Sequence, residues 1–203
     1  MKKRNWLITA FEPFAGRETN NSVTVMEEIR KLGSENAANP DWQYEFHYQL
    51  LPVAYDLCFE ELKSKVLELH EKGVIFSGIL SIGEGHEEFK IETQANNLDD
   101  VAELSDNRGV TRVNAPIFKD LPADDPLPLR FPFESFSRIR SSKNPGFFIC
   151  NHLCARMSRA AESLPGAPFF GFIHVPKTGS GGMFTPDVCA AVIVNGMKKI
   201  PAE

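Results

Sequence analysis

Two residue types in this chain have the chemistry of an acyl-transfer site: the thiol of Cys150 and the imidazole of His174. Cys150 falls within Gly146 to His152 (GFFICNH), where an apolar, strand-like run gives way to a helical pattern. A helix N-terminus leaves backbone N–H donors unpaired and carries a partial positive charge, and both favour thiolate over thiol. His174 sits near the end of a second apolar run, Phe169 to Pro176 (FFGFIHVP). A cysteine nucleophile needs a base within hydrogen-bond reach and a third group that orients the base. Glu84, Glu87, Glu88, Glu92, Asp99 and Asp100, in or near the loop after an apolar stretch at Gly78 to Ile82, are all candidates for that third role. Residue types do not choose among them. They also leave the plain alternative open, in which the thiol is an inert buried hydrophobe and the histidine a satisfied core residue.

Other chemistries fit the pattern less well. Cys150, His152 and Cys154 alternate, but on a helix i and i+4 share a face while i+2 points away, so the three cannot converge on one zinc. There is no second Cys or His pair at ligand spacing, so no metal site is expected. The glycine-rich stretches SIGEG (Ser81 to Gly85) and TGSGG (Thr178 to Gly182) match neither a phosphate-binding P-loop nor a dinucleotide fingerprint.

The elements that must position Cys150 and His174 alternate in type. Strand-like runs at Trp6 to Phe11, Tyr44 to Val53, Gly78 to Ile82, Phe147 to Cys150 and Phe169 to Val175 are separated by helical patterns. That alternation predicts an α/β sheet with helices on both faces. In an open α/β sheet, sites gather at the carboxyl ends of strands, where Cys150, His174 and the acidic loop all fall. A helix is predicted after the cap-type residues Asn21 and Ser22, with Val23, Met26, Ile29 and Leu32 as its stripe and a stop near Gly33. Asp56 is the expected cap of the next, which carries Leu57, Leu62, Val66 and Leu69 and ends by Gly73. Leu153, Met157, Ala160 and Leu164 stripe a third, and the last opens with Thr185 and Pro186 and runs from Val188 to Ile200. Two regions break the alternation: the polar turn Ser34 to Asp41, and Ala115 to Phe136, which holds five prolines and several apolar residues that look exposed. The second reads as a lid, a substrate-side loop or an oligomer contact.

The 203 residues suffice to bury the core of one domain, 1–203, without staples. A net charge of −5, with Lys and Arg scattered, argues against a nucleic-acid partner. The apolar run near the N-terminus is about six residues long and meets Glu12 and Pro13, too short for an export signal or a membrane span. Four cysteines (Cys58, Cys150, Cys154, Cys189) are then expected as free thiols in a reducing cytoplasm.

Several blocks, in order, resemble the pyroglutamyl-peptidase I family of cysteine peptidases, also called pyrrolidone-carboxylate peptidases. Phe11, Pro13, Phe14, Gly16 and Asn20 resemble its opening turn, and Leu51 and Pro52 a strand end that follows. Glu92, Ala95, Asn97, Asp99 and Asp100 resemble its glutamate block, and Asp106, Asn107 and Gly109 the turn after it. Gly146, Phe148, Cys150 and Asn151 resemble the nucleophile block, and Phe172 to Pro176 the histidine block. The resemblance covers nearly the whole chain. It implies a single-domain α/β/α open sandwich with a mostly parallel twisted sheet, a peptide substrate with a blocked N-terminus, a cytosolic location and a homo-oligomer, dimer or tetramer. It implies Glu92, Cys150 and His174 as the catalytic set, a lactam pocket formed by Phe11, Phe14, Asn20, Phe148 and Ile149, and no metal or organic cofactor.

The departures from the family pattern concern specificity. Ile82 stands where an amide side chain is common, His86 where Arg is usual and Lys90 where Ser or Thr is usual. Ala102 and Glu103 follow where many bacterial members have an Arg. These leave two further readings: a cysteine hydrolase of the same fold acting on another small acyl or cyclic group, and a catalytically idle binding protein.

Overall fold

The computed structural model describes residues 3–85, 87–177, 179 and 182–201. Of the positions singled out above, His86 and Thr178, Ser180 and Gly181 of the second glycine-rich stretch lie outside the described residues.

A six-stranded sheet runs in the order β2-β1-β3-β10-β4-β9. These are β1 (Arg4–Phe11), β2 (Tyr44–Leu51), β3 (Phe76–Glu84), β4 (Lys90–Glu92), β9 (Arg140–Ser142) and β10 (Phe169–Val175). Neighbours pair in parallel except β10 with β4, which are antiparallel. The sheet is therefore mostly parallel, and helices cover both faces as the alternation predicted. Two short antiparallel pairs stand apart, β5 (Gln94–Asn96) with β8 (Pro126–Pro128) and β6 (Leu98–Val101) with β7 (Arg112–Pro116). No helix among the described residues is long and apolar enough to cross a membrane.

Strand residues point alternately to the two faces, and that parity divides the core in two. Trp6, Ile8 and Ala10 of β1 pack with α1 (Asn21–Asn36) and α4 (Pro186–Met197), through Val25, Met26, Ile29, Ala190 and Ile193. Leu7 and Phe11 pack with α2 (Cys58–Glu71) and α3 (Ile149–Ala160), through Leu62, Val66, Leu153 and Met157. In β10, Ile173 and Val175 belong to the first face and Phe170 and Phe172 to the second. His174 shares the parity of Phe172. It therefore faces α3, the helix that carries Cys150.

Several local expectations are corrected. Residues 147–150 are not a strand; α3 starts at Ile149, and Cys150 is its second residue. Asn20, one residue earlier than expected, caps α1 by accepting the Ser22 N–H at 3.0 Å. That helix runs through Gly33 to Asn36, because Gly33 serves packing and not termination: a Cβ there would lie 3.1 Å from the Phe46 ring. Asp56 does not cap α2, whose N-cap is Leu57; it pairs instead with Arg108. The final helix stops at Met197.

The proline-rich stretch 115–136 is not a lid along its length. Leu127, Leu129, Phe131 and Phe136 are buried. Phe131 meets Trp6 edge-on, with ring centroids 6.1 Å apart, and Phe136 fills the space that Gly196 of α4 leaves open.

Candidate active site

Three elements converge at the carboxyl end of β10. Strand β10 supplies His174, which lies opposite Gly83 of β3 on one side and Lys90 of β4 on the other. Strand β4 supplies Glu92, opposite Phe172 and on the same face. Helix α3 lays Cys150 over that face.

The geometry joins these side chains. His174 Nδ1 is 2.8 Å from Glu92 Oε1, with the histidine nearly buried and the carboxylate fully so. An ionised carboxylate only accepts hydrogen bonds, so Nδ1 carries the proton and Nε2 presents its lone pair. Cys150 Sγ lies against the backbone of Gly83, where an added Cβ would come within 2.8 Å of the sulfur. Gly83 is the register partner of His174, so the sulfur lies over the backbone position one strand, about 4.8 Å, across from the histidine's own. A hydrogen-bonded imidazole–carboxylate pair and a thiol thus share one face of the sheet, on strands and a helix that meet there.

Charge around the three is uneven. Burial works to raise the Glu92 carboxyl, but the hydrogen bond and charge of His174, then Ser142 and Lys90, hold it below its usual range. The Cys150 thiol is pushed up to about 12, first by burial and then by the negative charge of Glu92. Its own backbone N–H and Lys90 act in the opposite direction without prevailing. The expected thiolate preference of a helix N-terminus is thus outweighed by burial and Glu92. No side chain caps α3, and the first-turn N–H groups of a helix have no acceptor within it.

Of the five pocket residues expected, Phe14 and Phe148 are part-exposed and their rings lie 6.0 Å apart. Phe11 and Ile149 are buried in the same apolar cluster, which Cys150 also joins. All four thus belong to the apolar cluster that includes Cys150, with Phe14 and Phe148 as its part-exposed edge. Asn20 is different: its Oδ1 accepts from Ser22 N and Ser22 Oγ and its Nδ2 donates to Glu12 O, so its polar atoms are committed to the start of α1. Ile82 is also displaced from expectation. Its parity is that of Leu80, and its side chain packs in the core beneath α1 and α4, on the face away from Cys150. It is not part of that cluster. Glu103 is exposed in the turn after β6.

Several polar residues of the site were not visible as such in the sequence. Glu84 ends β3 and forms a two-pronged pair with Arg17, with Arg17 Nη2 2.9 Å from Oε2, while the Asn21 N–H donates to the same Oε2 at 2.7 Å. This ties the loop that carries Phe14 to the sheet. Asn151, fully buried, accepts from the Asn96 N–H at 2.8 Å and donates to the carbonyls of Asn96 and Leu98. One amide thus joins the helix of Cys150 to the chain that follows Glu92. A second histidine–carboxylate pair lies nearby: His152 Nδ1 is 2.8 Å from Asp99 Oδ2, which also receives Arg112 at 3.0 Å. The His152 ring packs edge-on against Tyr55 and is buried. The charges acting on Cys150 come from Glu92, Lys90 and Glu84, not from this pair.

A sequence profile of the pyroglutamyl peptidase family matches residues 4–200. Among curated relatives, a pyrrolidone-carboxylate peptidase of Clavibacter michiganensis is 28% identical over 179 residues, covering 84% of this chain and 77% of its own length. One from Pectobacterium carotovorum is 29% identical over 205 residues, covering 93% of this chain and 89% of its own. The crystal structure of pyroglutamyl peptidase I from Bacillus amyloliquefaciens superimposes with a TM-score of 0.76 at 21% identity, covering 96% of this chain and 93% of that one, and thus shares the fold.

Proposed function

The chain belongs to the pyroglutamyl peptidase family, and from that membership we propose that it removes an N-terminal pyroglutamyl (5-oxoproline) residue from peptides. Cys150 is the nucleophile, His174 the base and then the acid, and Glu92 the group that orients the imidazole. The observation that carries the assignment is the His174–Glu92 hydrogen bond of 2.8 Å on the sheet face where the Cys150 sulfur lies against Gly83.

The ring of the substrate packs against the part-exposed Phe14 and Phe148 rings, with Phe11 and Ile149 in the apolar cluster behind them. Such apolar walls accept a neutral lactam, whereas a free N-terminal ammonium would lose its hydration there. Cys150 Sγ attacks the pyroglutamyl carbonyl as its proton passes to His174 Nε2. Because the resting thiol is pushed up to about 12, this transfer accompanies attack instead of preceding it. First-turn N–H groups of α3 face the developing oxyanion. Collapse of the tetrahedral adduct breaks the peptide bond, and His174 returns the proton to the leaving amine. A water, deprotonated by the same nitrogen, then cleaves the thioester and releases pyroglutamate. The same reading treats residues 1–203 as one domain working in the cytosol, where the free Cys58, Cys150, Cys154 and Cys189 stay reduced.

The test is hydrolysis of a pyroglutamyl-coumarin amide under reducing conditions. Cys150→Ala and His174→Ala are expected to abolish turnover with the thermal melt retained, and Glu92→Gln to reduce it less. Full activity in Cys150→Ala overturns the proposal.

A further inference from the structure

Lys90 takes no part in the reaction as described, yet it stands beside the base. It is the cross-strand partner of His174 in the antiparallel β10–β4 pair, and it shares the face of Glu92 two residues on. Its Nζ is 3.2 Å from Glu92 Oε1, the same oxygen that receives His174 Nδ1, and is fixed there by donating to Asn144 O at 3.0 Å. The lysine side chain is one-fifth exposed and the carboxylate fully buried, so solvent screens the contact weakly.

We propose that Lys90 is a positioning residue for the base: by sharing one carboxylate oxygen with His174, it biases the imidazole toward its neutral, proton-accepting form. The proposal deepens the peptidase reading and rests on Glu92, His174 and Cys150 acting together. When His174 takes the thiol proton it becomes a cation, stabilised by Glu92. An ammonium already on the same oxygen offsets part of that stabilisation and repels the imidazolium directly. The same charge favours the thiolate of Cys150.

The other charged groups near this end of the sheet include Glu92 on β4 itself, Glu84 at the end of β3, Arg17 from the loop after β1, and Arg140 of β9, the register partner of Lys90, which pairs with the exposed Glu88, with the Cys150 thiol on α3. Glu84 is held by Arg17 and the Asn21 N–H, which leaves Glu92 as the carboxylate on His174 and Lys90 as the cation that moderates it. The sign follows. With the ammonium on the shared oxygen, the enzyme is expected to stay active to lower pH than it would without the lysine.

The experiment compares wild type with Lys90→Met, Lys90→Ser and Lys90→Arg. Two profiles are recorded between about pH 5 and 8: the rate at which iodoacetamide alkylates Cys150, and kcat/KM for the pyroglutamyl-coumarin amide. Both neutral variants should move the acid limb of each profile upward by about 0.5–1 unit, while Lys90→Arg keeps it near the wild-type position. A lysine that served only to satisfy the Asn144 carbonyl would not move the limb. Coincident limbs in wild type and the neutral variants, a downward shift, or an equal shift in Lys90→Arg each overturn the proposal. Alkylation needs no substrate, so the two readings fail separately. A protein that shows the alkylation shift but no pyroglutamyl hydrolysis loses its assigned substrate and keeps the role of Lys90.

Discussion

Replacing Gly83 by Ala tests the placement of the nucleophile without touching any reacting group. Gly83 has no left-handed backbone conformation to protect, so the effect of a methyl is purely steric. The added carbon would lie 2.7 and 2.9 Å from two atoms of the Phe172 ring and 2.8 Å from Cys150 Sγ. Optimal non-bonded contacts are about 3.5–4.0 Å, so one or both neighbours must retreat by nearly an ångström. Phe172 is fully buried and packed on Phe11, with centroids 6.3 Å apart, which leaves the sulfur to move. Overpacking of this kind costs about 1–3 kcal/mol of stability. A reacting atom displaced by about 1 Å loses on the order of 100-fold in rate. Guanidinium unfolding, kcat/KM on the pyroglutamyl-coumarin amide and Cys150 alkylation together separate the two effects. Gly85→Ala is the graded comparison: its methyl would meet His174 Cβ at 3.3 Å, a tight but tolerable contact, and the expected loss is less than about tenfold. Wild-type kcat/KM in Gly83→Ala would refute the placement of Sγ against β3.

Two further outcomes follow from burial and hydrogen bonding. Asn151→Ala removes three hydrogen bonds to the backbone of Asn96 and Leu98; it should cost about 2–4 kcal/mol in urea unfolding and lower kcat more than it raises KM, because it loosens nucleophile from acid and not substrate from pocket. Replacing Cys58, Cys154 or Cys189 by Ala should preserve turnover with at most a loss of stability, since each is a buried free thiol packed in a helix and none is the nucleophile. Cys58 and Cys189 also make a pH prediction: burial pushes both thiols up to about 12, so above about pH 9 the folded chain keeps protons that the unfolded chain has lost. Stability is full below that pH and falls as pH rises toward 12, by about 1.4 kcal/mol per pH unit for each thiol. The Cys58→Ala protein should therefore show a shallower alkaline decline in urea titrations than wild type.

Much of the fold was legible because strand parity and helical stripes survive in the sequence. The apolar alternation of β1 and β10 assigned their faces, and the stripes of α1, α2 and α3 marked the helices that cover them. The errors lie where one signal had two causes. The run FFIC before Asn151 looked like a strand, but its residues divide between the aromatic patch and the buried first turn of α3. Gly33 looked like a helix stop and is instead a gap for Phe46. The prolines of 115–136 suggested a surface loop, whereas Phe131 and Phe136 close the core. At the site, Ile82 was read as part of the pocket because residues were matched by position. Counting parity from Leu80 places it on the other face. The roles of Glu84 and Asn151 were hidden for another reason: both act on backbone groups or on a residue far along the chain, which local patterns do not record.

The Asn151 amide grips main-chain atoms of Asn96 and Leu98 and none of their side chains. Any residue with a peptide group satisfies that grip. The spacing between acid and thiol is therefore set by main chain on one side of the contact, and in a family whose members here share little more than a quarter of their residues it does not depend on which side chains stand at 96 and 98. The demand for a particular side chain falls on the helix alone, at Asn151, and the chain that follows Glu92 answers it with peptide groups every residue carries.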